Sequence, residues 1–320
     1  MNPDRKNDAV PGKIVSLLAS ATELVVALGL GDRLVGRSHE CDHPPWVRRL
    51  PVLSRPTFDI TGSSAEIDAR VRERLRAGQP LYEVDEAALA ALEPDFVLTQ
   101  THCEVCAVSP ATLEGGGDCK LQRRQVVALT SGTIEGILDG FRQVAAVLGA
   151  PAAGEALITR LTADLAQSRA ATADLPRPRV ACLEWIEPIF AMGNWGPEIV
   201  EAGGGECVLG VPGAHSTALP FEALTAADPD AIIVAPCGFD LQRTLAELPA
   251  LTGRPEWQAL RAVRDGRVYA ADGNLYFNRS SPTLFETPNL VAEMLHPDRF
   301  APRHRGVAWV PIRSARSPAG

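Results

Sequence analysis

The sequence predicts an α/β protein built as two Rossmann-like α/β lobes joined by one long connecting helix. Two observations carry this. Apolar runs of four to six residues alternate with helix-period stretches, the signature of β-α-β units and a mostly parallel sheet. Between two such halves lies an amphipathic stretch of about 20 residues, which as a helix covers roughly 30 Å and can span both.

The elements follow in order. A strand over 14–18 precedes Ser20-Ala21-Thr22-Glu23, in which Ser20 can cap a helix and Glu23 can bond back to it. Leu24, Val25, Ala27 and Leu28 form that helix's apolar face, and Gly29 and Gly31 end it. Further strands are expected at 34–36, 96–99 and 126–129. From Thr133 apolar residues recur at three- and four-residue steps, through Ile134, Ile137, Leu138, Phe141, Val144 and Leu148. Pro151 interrupts the pattern. The next stretch, 154–173, sets Leu157, Ile158, Leu161 and Leu165 against Arg160, Asp164, Gln167 and Arg169 on the opposite face. After the rigid Pro176-Arg177-Pro178 the alternation resumes, with strands at 180–183, 231–235 and 268–270. Helices are expected near 197–202, 222–226, 255–263 and 287–295. The chain thus divides into an N-terminal lobe (12–150), a connecting helix (151–175), a C-terminal lobe (176–300) and an irregular tail (301–320).

Composition narrows the function. With 320 residues the chain can bury two cores of roughly 100–150 residues each. An apolar fraction of 46% excludes intrinsic disorder, and a net charge of −8 leaves no basic footprint for nucleic acid. No run approaches the roughly 18 consecutive apolar residues of a membrane-spanning helix. The polar start, Met1 to Asp8, leads directly into the first strand, so the expectation is a cytoplasmic protein. Seven cysteines, an odd count, favour reduced thiols or metal ligands over a disulfide framework.

The chemically distinctive residues cluster directly after strands. These are His39-Glu40-Cys41-Asp42-His43, Thr101-His102-Cys103-Glu104-Val105-Cys106, Glu184-Trp185, Pro236-Cys237-Gly238-Phe239 and Asn274-Leu275-Tyr276-Phe277. Open α/β sheets bind ligands outside the carboxyl ends of their strands, so two lobes with such edges imply a cleft between them. No Walker loop, G-x-S-x-G elbow or H-E-x-x-H helix is present, and no catalytic residue is assigned.

Over about residues 13–300 the chain resembles the substrate-binding proteins of ABC importers for vitamin B12, haem and iron-siderophores. The resemblance rests on Ser16-Leu17-Leu18-Ala19-Ser20-Ala21-Thr22-Glu23, the run from Ala27 to Gly36, Cys41-Asp42-His43-Pro44, the run from Leu89 to Asp95, Glu222-Ala223-Leu224 with Asp228-Pro229-Asp230, and the run from Ala262 to Tyr269. It is most similar to the cobalamin-binding branch. The resemblance implies two lobes on one long helix (the helical-backbone metal receptor type), a cobalamin, corrinoid or related metal chelate held between them, and no enzymatic step. It also implies one glutamate per lobe docking on an ABC permease. Glu222 matches in the C-terminal lobe, whereas the N-terminal position is Ala87 with Glu86 beside it. Ala19 departs from the family's usual proline, and neither a secretion leader nor a lipid-anchor cysteine is read in the chain.

The candidate ligand-binding residues are Glu40, Cys41, Asp42, His102, Cys103, Glu184, Trp185, Trp195, Tyr276 and Phe277. Indole rings beside Glu184, Glu187 and Asn194 offer a macrocycle both apolar area and partners for its amide rim. Tyr276 and Phe277, with Arg279 two residues on, have the same claim. Cys41, Cys103 and Cys106, with His39, His43 or His102, could instead ligate zinc or iron, form a redox pair or line the pocket. The second function class is therefore a cytoplasmic corrinoid-processing or metal-handling protein that uses these three cysteines as ligands or redox thiols.

Overall fold

The computed structural model describes residues 12–100, 125–129 and 132–312. In the N-terminal lobe the chain runs through β1 (Ile14–Ser16), α1 (Ala19–Ala27), β2 (Leu34–Arg37), β3 (Ser54–Pro56), α2 (Ser64–Arg76), β4 (Tyr82–Val84), α3 (Glu86–Leu92), β5 (Phe96–Gln100) and β6 (Gln125–Leu129). Four of these strands form a parallel sheet in the order β2-β1-β5-β6, and β3 and β4 make a separate antiparallel ribbon. Two helices follow, α4 (Ile134–Val147) and the 22-residue α5 (Pro151–Thr172).

The C-terminal lobe contains β7 (Arg179–Trp185), β8 (Ile189–Ala191), α6 (Gly196–Ala202), β9 (Glu206–Cys207), β10 (Thr217–Leu219), α7 (Phe221–Ala227), β11 (Ala231–Val234), α8 (Leu241–Glu247), β12 (Val268–Ala271), α9 (Thr287–Leu295) and β13 (Trp309–Pro311). Its sheet runs β10-β8-β7-β11-β12-β13, with β9 alongside β7. The central strands are parallel, and β8, β10 and β13 are antiparallel. β1, β5, β11 and β12 are buried throughout, which explains their largely apolar sequences; Ser16, Thr99 and Gln100 are buried polar residues at the ends of β1 and β5.

The two lobes use the same corner. Glu93-Pro94-Asp95 and Asp228-Pro229-Asp230 each end a helix with a left-handed residue, Glu93 at φ 48° and Asp228 at φ 38°. The second acid of each then accepts the backbone N–H at the head of its lobe's first strand. Asp95 takes Lys13 N at 2.7 Å and Asp230 takes Arg179 N at 2.8 Å. These groups would otherwise lack partners where the strands begin.

One continuous apolar cluster passes from Ile14 and Leu24 through Leu157, Leu161 and Leu165 of α5 to Val180 and Leu290. The connecting helix therefore belongs to the core of both lobes. α5 begins at Pro151 itself, because a proline at the first helical position gives up only an N–H that has no partner there.

Three expectations are corrected. Ser20 does not cap α1: the helix starts at Ala19 with Leu18 before it and no side-chain cap, and both Ser20 and Glu23 are buried within it. The helix expected over 255–263 is broken at Leu260, whose extended backbone (ψ 137°) and buried side chain turn the chain into the core. The tail is not irregular throughout, since β13 pairs with β12 and covers its free edge. Glu293 anchors it by accepting Trp309 Nε1 at 2.9 Å and His304 Nδ1 at 2.7 Å.

Gly154 sets the contact between α5 and α4, for a Cβ there would lie 2.4 Å from Ala145 Cβ. Gly154→Val is expected to lower stability by about 1–3 kcal/mol through overpacking, read as a reduced Tm.

Candidate functional site

The lobes meet around Arg279, which is 7% exposed. Its guanidinium donates to Asp42 Oδ1 at 2.7 Å, Glu23 Oε1 at 3.3 Å, the Glu40 carbonyl at 3.2 Å and Asn274 Oδ1 at 2.7 Å. Asn274 Nδ2 in turn donates to Asp42 Oδ2 at 3.0 Å, and Thr283 Oγ1 to Glu23 Oε2 at 2.6 Å. Glu23, Glu40 and Asp42 come from the N-terminal lobe, and Asn274, Arg279 and Thr283 from the C-terminal lobe. The backbone makes this possible at Gly273, where a Cβ would lie 2.1 Å from the Pro236 carbonyl oxygen. Only glycine lets the turn carrying Asn274 lie so close to the end of β11.

Beside this network lies a cavity of about 340 Å³. The N-terminal lobe lines it with Asp42, His43, Pro45 and Arg48, and the C-terminal lobe with Gly238, Asp240, Arg243, Asp272, Asn274 and Leu275. The C-terminal residues follow β11 and β12, at the carboxyl edge where ligands of such sheets bind.

Charge shapes the site. Burial pushes the Asp272 carboxyl up, and Asp240 and Asp42 add to the rise against a hydrogen bond from Leu275 N. Burial acts in the same direction on Asp42, but the hydrogen bond and charge of Arg279, with Asn274 and Arg48, outweigh it and hold this carboxyl below its usual value. Glu40 is the opposite case. Its side chain keeps 43% of its surface, yet the surrounding cleft walls desolvate the carboxyl and push it up to about 7; Arg279 opposes the rise and Asp42 reinforces it.

Five of the eight described side chains expected to touch ligand make contacts elsewhere in the fold. Cys41 is fully buried behind the cleft; Thr22 Oγ1 lies 3.0 Å and Ser38 Oγ 3.2 Å from its thiol, which burial pushes up and so keeps protonated. Trp185 packs on Phe239 and donates Nε1 to the Ser64 carbonyl of the other lobe at 3.2 Å. Trp195 packs against the core and donates to the Phe277 carbonyl at 2.9 Å. Phe277 is itself core, 1% exposed, and Tyr276 meets His304 edge-on. Glu184, next to last in β7, is half-buried. Of the eight that lie among the described residues, only Asp42 lines the cavity, and Glu40 is two residues from it in the chain. His102, Cys103 and Cys106 lie outside the described residues. Among the described residues, no three His, Cys, Asp or Glu side chains are arranged to hold a metal ion.

Sequence reasoning missed His43 and Arg48 as wall residues, and Asp240, Arg243 and Asp272 altogether. Position after a strand would have found Asp240 and Asp272. Nothing local marks Glu23, because its partner lies 256 residues away.

Two α/β lobes on a shared helix, with a polar cavity lined by both, define a two-lobed ligand-binding scaffold. Residues 14–275 match the family model of periplasmic binding proteins, and the chain belongs to that family. It is 24% identical over 306 residues to the uncharacterized ABC transporter substrate-binding lipoprotein YvrC of Bacillus subtilis (strain 168), covering 91% of this chain and 82% of the relative. Similar solved structures include a periplasmic heme binding protein from Pseudomonas aeruginosa (TM-score 0.67, 22% identity, 91% of this chain and 94% of the other). Another is the periplasmic vitamin B12 binding protein BtuF of Vibrio cholerae (TM-score 0.63, 20% identity, 89% and 97%). The coarse function follows: a substrate-binding protein of the ABC-transporter type, which takes a small-molecule ligand between two lobes. Such proteins generally carry out no catalysis.

The expected cytoplasmic location is overturned by these findings. The family is one of periplasmic binding proteins and the curated relative is a lipoprotein, both of which stand against a cytoplasmic location. Compartment is written in a targeting segment, separately from the folded lobes, and the polar residues before β1 do not decide it.

Arg279→Ala takes from the buried Glu23 the guanidinium it pairs with and leaves Asp42 the exposed Arg48 at 3.8 Å. A loss of about 3–5 kcal/mol in urea unfolding is expected, since removing one partner strands buried charge. Glu40 makes a separate prediction. Its folded carboxyl binds a proton more tightly than the unfolded one, so its contribution is full below 4.5 and is lost as pH rises towards 7. The Tm of Glu40→Gln should therefore fall less than that of the wild type across this window.

Proposed function

We propose that the cleft captures a hydrophilic metal chelate, with a corrinoid such as cobalamin as the ligand it suits best, and delivers it to an ABC permease. The observation that carries this reading is the character of the cavity wall. Asp42, Asp240 and Asp272 supply acceptors, Arg48 and Arg243 supply donors, and Asn274 supplies both. Among the described residues lining it there is no Phe, Tyr or Trp. Alternating donors and acceptors suit the amide rim of a corrin. Three carboxylates against two guanidiniums oppose the propionates of a haem, and a haem's bare face would find little apolar wall here.

The cavity volume falls at the low end of pockets that enclose drug-sized ligands, roughly 300–1,000 Å³. It would receive one polar edge of a corrinoid, with the rest lying across the mouth of the cleft. His43, on the N-terminal wall, offers an imidazole to the ligand's metal or its amides.

Glu86 and Glu222 support the second half of the reading. Both are exposed and both stand in the first turn of the helix that leads into a Pro-Asp corner, α3 in one lobe and α7 in the other. Glu86 is the first residue of α3 and Glu222 the second of α7, so the N-terminal carboxylate stands one residue, about 100° around the helix, from the aligned Ala87. These two carboxylates would dock on permease cations.

Titrating cyanocobalamin into the protein is expected to shift the corrin absorption and to raise the Tm, with about 2.7 kcal/mol of stabilisation when free ligand reaches 100-fold over Kd. Haem and ferric-siderophore controls should give smaller shifts. No spectral change and no stabilisation at excess cyanocobalamin would sink the corrinoid reading.

A further inference from the structure

The cavity lies between two sets of contacts that bridge the lobes. The first is the Arg279 network. The turn behind it, Pro282–Glu286, packs on α1 and on the connecting helix, so this side of the cleft sits at the hinge. The second set lies at the first turn of α2. Ser64 N and Ser64 Oγ both donate to Glu247 Oε1, at 2.7 and 2.8 Å, and Ser64 O accepts from Trp185 Nε1. Arg243, which lines the cavity one helical turn before Glu247, donates to the Gly62 carbonyl. Ser64 is wholly buried by these contacts.

Glu247 is not needed to make α2. The helix already carries a complete capping box, in which Ser63 accepts the Glu66 N–H and the Glu66 carboxylate accepts Ser63 N. The carboxylate from the other lobe therefore adds a bond across the cleft rather than a cap the helix lacks. The two sides also differ in what opening does. Parting Ser64 from Glu247 admits water to both, which replaces the lost hydrogen bonds. Parting Arg279 from its partners at the hinge strands charges that stay buried. The α2 side is the one that can yield.

We propose that the Ser64–Glu247 contact is a latch that holds the empty cleft shut, and that a ligand wider than the cavity enters only when the first turn of α2 releases Glu247. This rests on the reading of the cavity as the ligand site. Glu247 thereby acts on the rate of capture without touching the ligand.

The test uses the whole chain with Glu247→Ala and Glu247→Gln. In ligand-free Glu247→Ala, the Ser64 amide should exchange with deuterium at least about tenfold faster, the factor for one charge-assisted hydrogen bond, while β11 amides keep their wild-type protection. Spin labels at the exposed Ala69 and Ala246, attached through a non-thiol handle because seven native cysteines are present, should report a longer and broader inter-lobe distance. Glu247→Gln, which keeps an acceptor but loses the charge, should fall between. Stopped-flow mixing with cyanocobalamin should show faster association for Glu247→Ala. Unchanged Ser64 exchange and an unchanged distance in Glu247→Ala would overturn the latch, whether or not cyanocobalamin binds. A latch that opens in both readouts, in a protein that binds no cyanocobalamin, would retain the latch and refute the corrinoid reading instead.

Discussion

A single buried cation holds the two halves of this protein in register. Arg279 leaves the C-terminal lobe and ends among Glu23 and Asp42 of the other, with Asn274 and Thr283 completing the bonds of those carboxylates. Taking such charges out of water is costly, and the cost is offset only when every lone pair and N–H finds a partner. Burial alone would lower the affinity of Arg279 for its proton, yet Asp42 and Glu23 reverse the effect, and the guanidinium stays charged. Geometry at the lobe boundary is therefore demanding. The close turn at Gly273 and the buried placement of Glu23 on α1 both serve it.

The apolar core and the polar network divide the work of assembly. Leu157, Leu161 and Leu165 on the connecting helix join the cores of both lobes, so the lobes share a non-directional attraction along that helix. Hydrogen bonds to Arg279 then fix orientation, because they tolerate little angular error. The cavity is left where neither reaches. Its walls are short loops after β11 and β12 and the segment after β2, and it is polar because the large aromatics nearby are used elsewhere. Trp185 bridges the lobes, Trp195 ties α6 to the turn after β12, and Phe277 fills the core. A wall made of Asp, Arg, His and Asn recognises by hydrogen bonds and charge, which rewards a ligand with a hydrogen-bonding periphery.

Much of the fold was legible because its signals are local. The alternation of apolar runs with helix-period stretches located β1, β2, β5, β7, β11 and β12 to within a residue or two. The face formed by Leu157, Ile158, Leu161 and Leu165 located the connecting helix. Short or edge elements were not legible: β3, β4, β8, β10 and β13 are two or three side chains of pattern, and α2, with Arg70, Arg72, Arg74 and Arg76 along it, carries too few apolar residues to announce a buried face.

The site divides along the same line. Position after a strand was enough to bring forward Glu40, Asp42, His43 and Asn274, and the Pro-Asp corners with Glu222 were visible as motifs. Sequence could not tell that Glu23 serves the other lobe rather than its own helix terminus. The pattern Ser20-x-x-Glu23 has the same local form in both cases. Nor could it tell that Trp185 donates to the other lobe and that Phe277 is core. Local periodicity states which face of an element is apolar, and it is carried by neighbours three or four residues apart. The partner of a buried charge stands hundreds of residues away, and only the packing of one lobe against the other decides which it is.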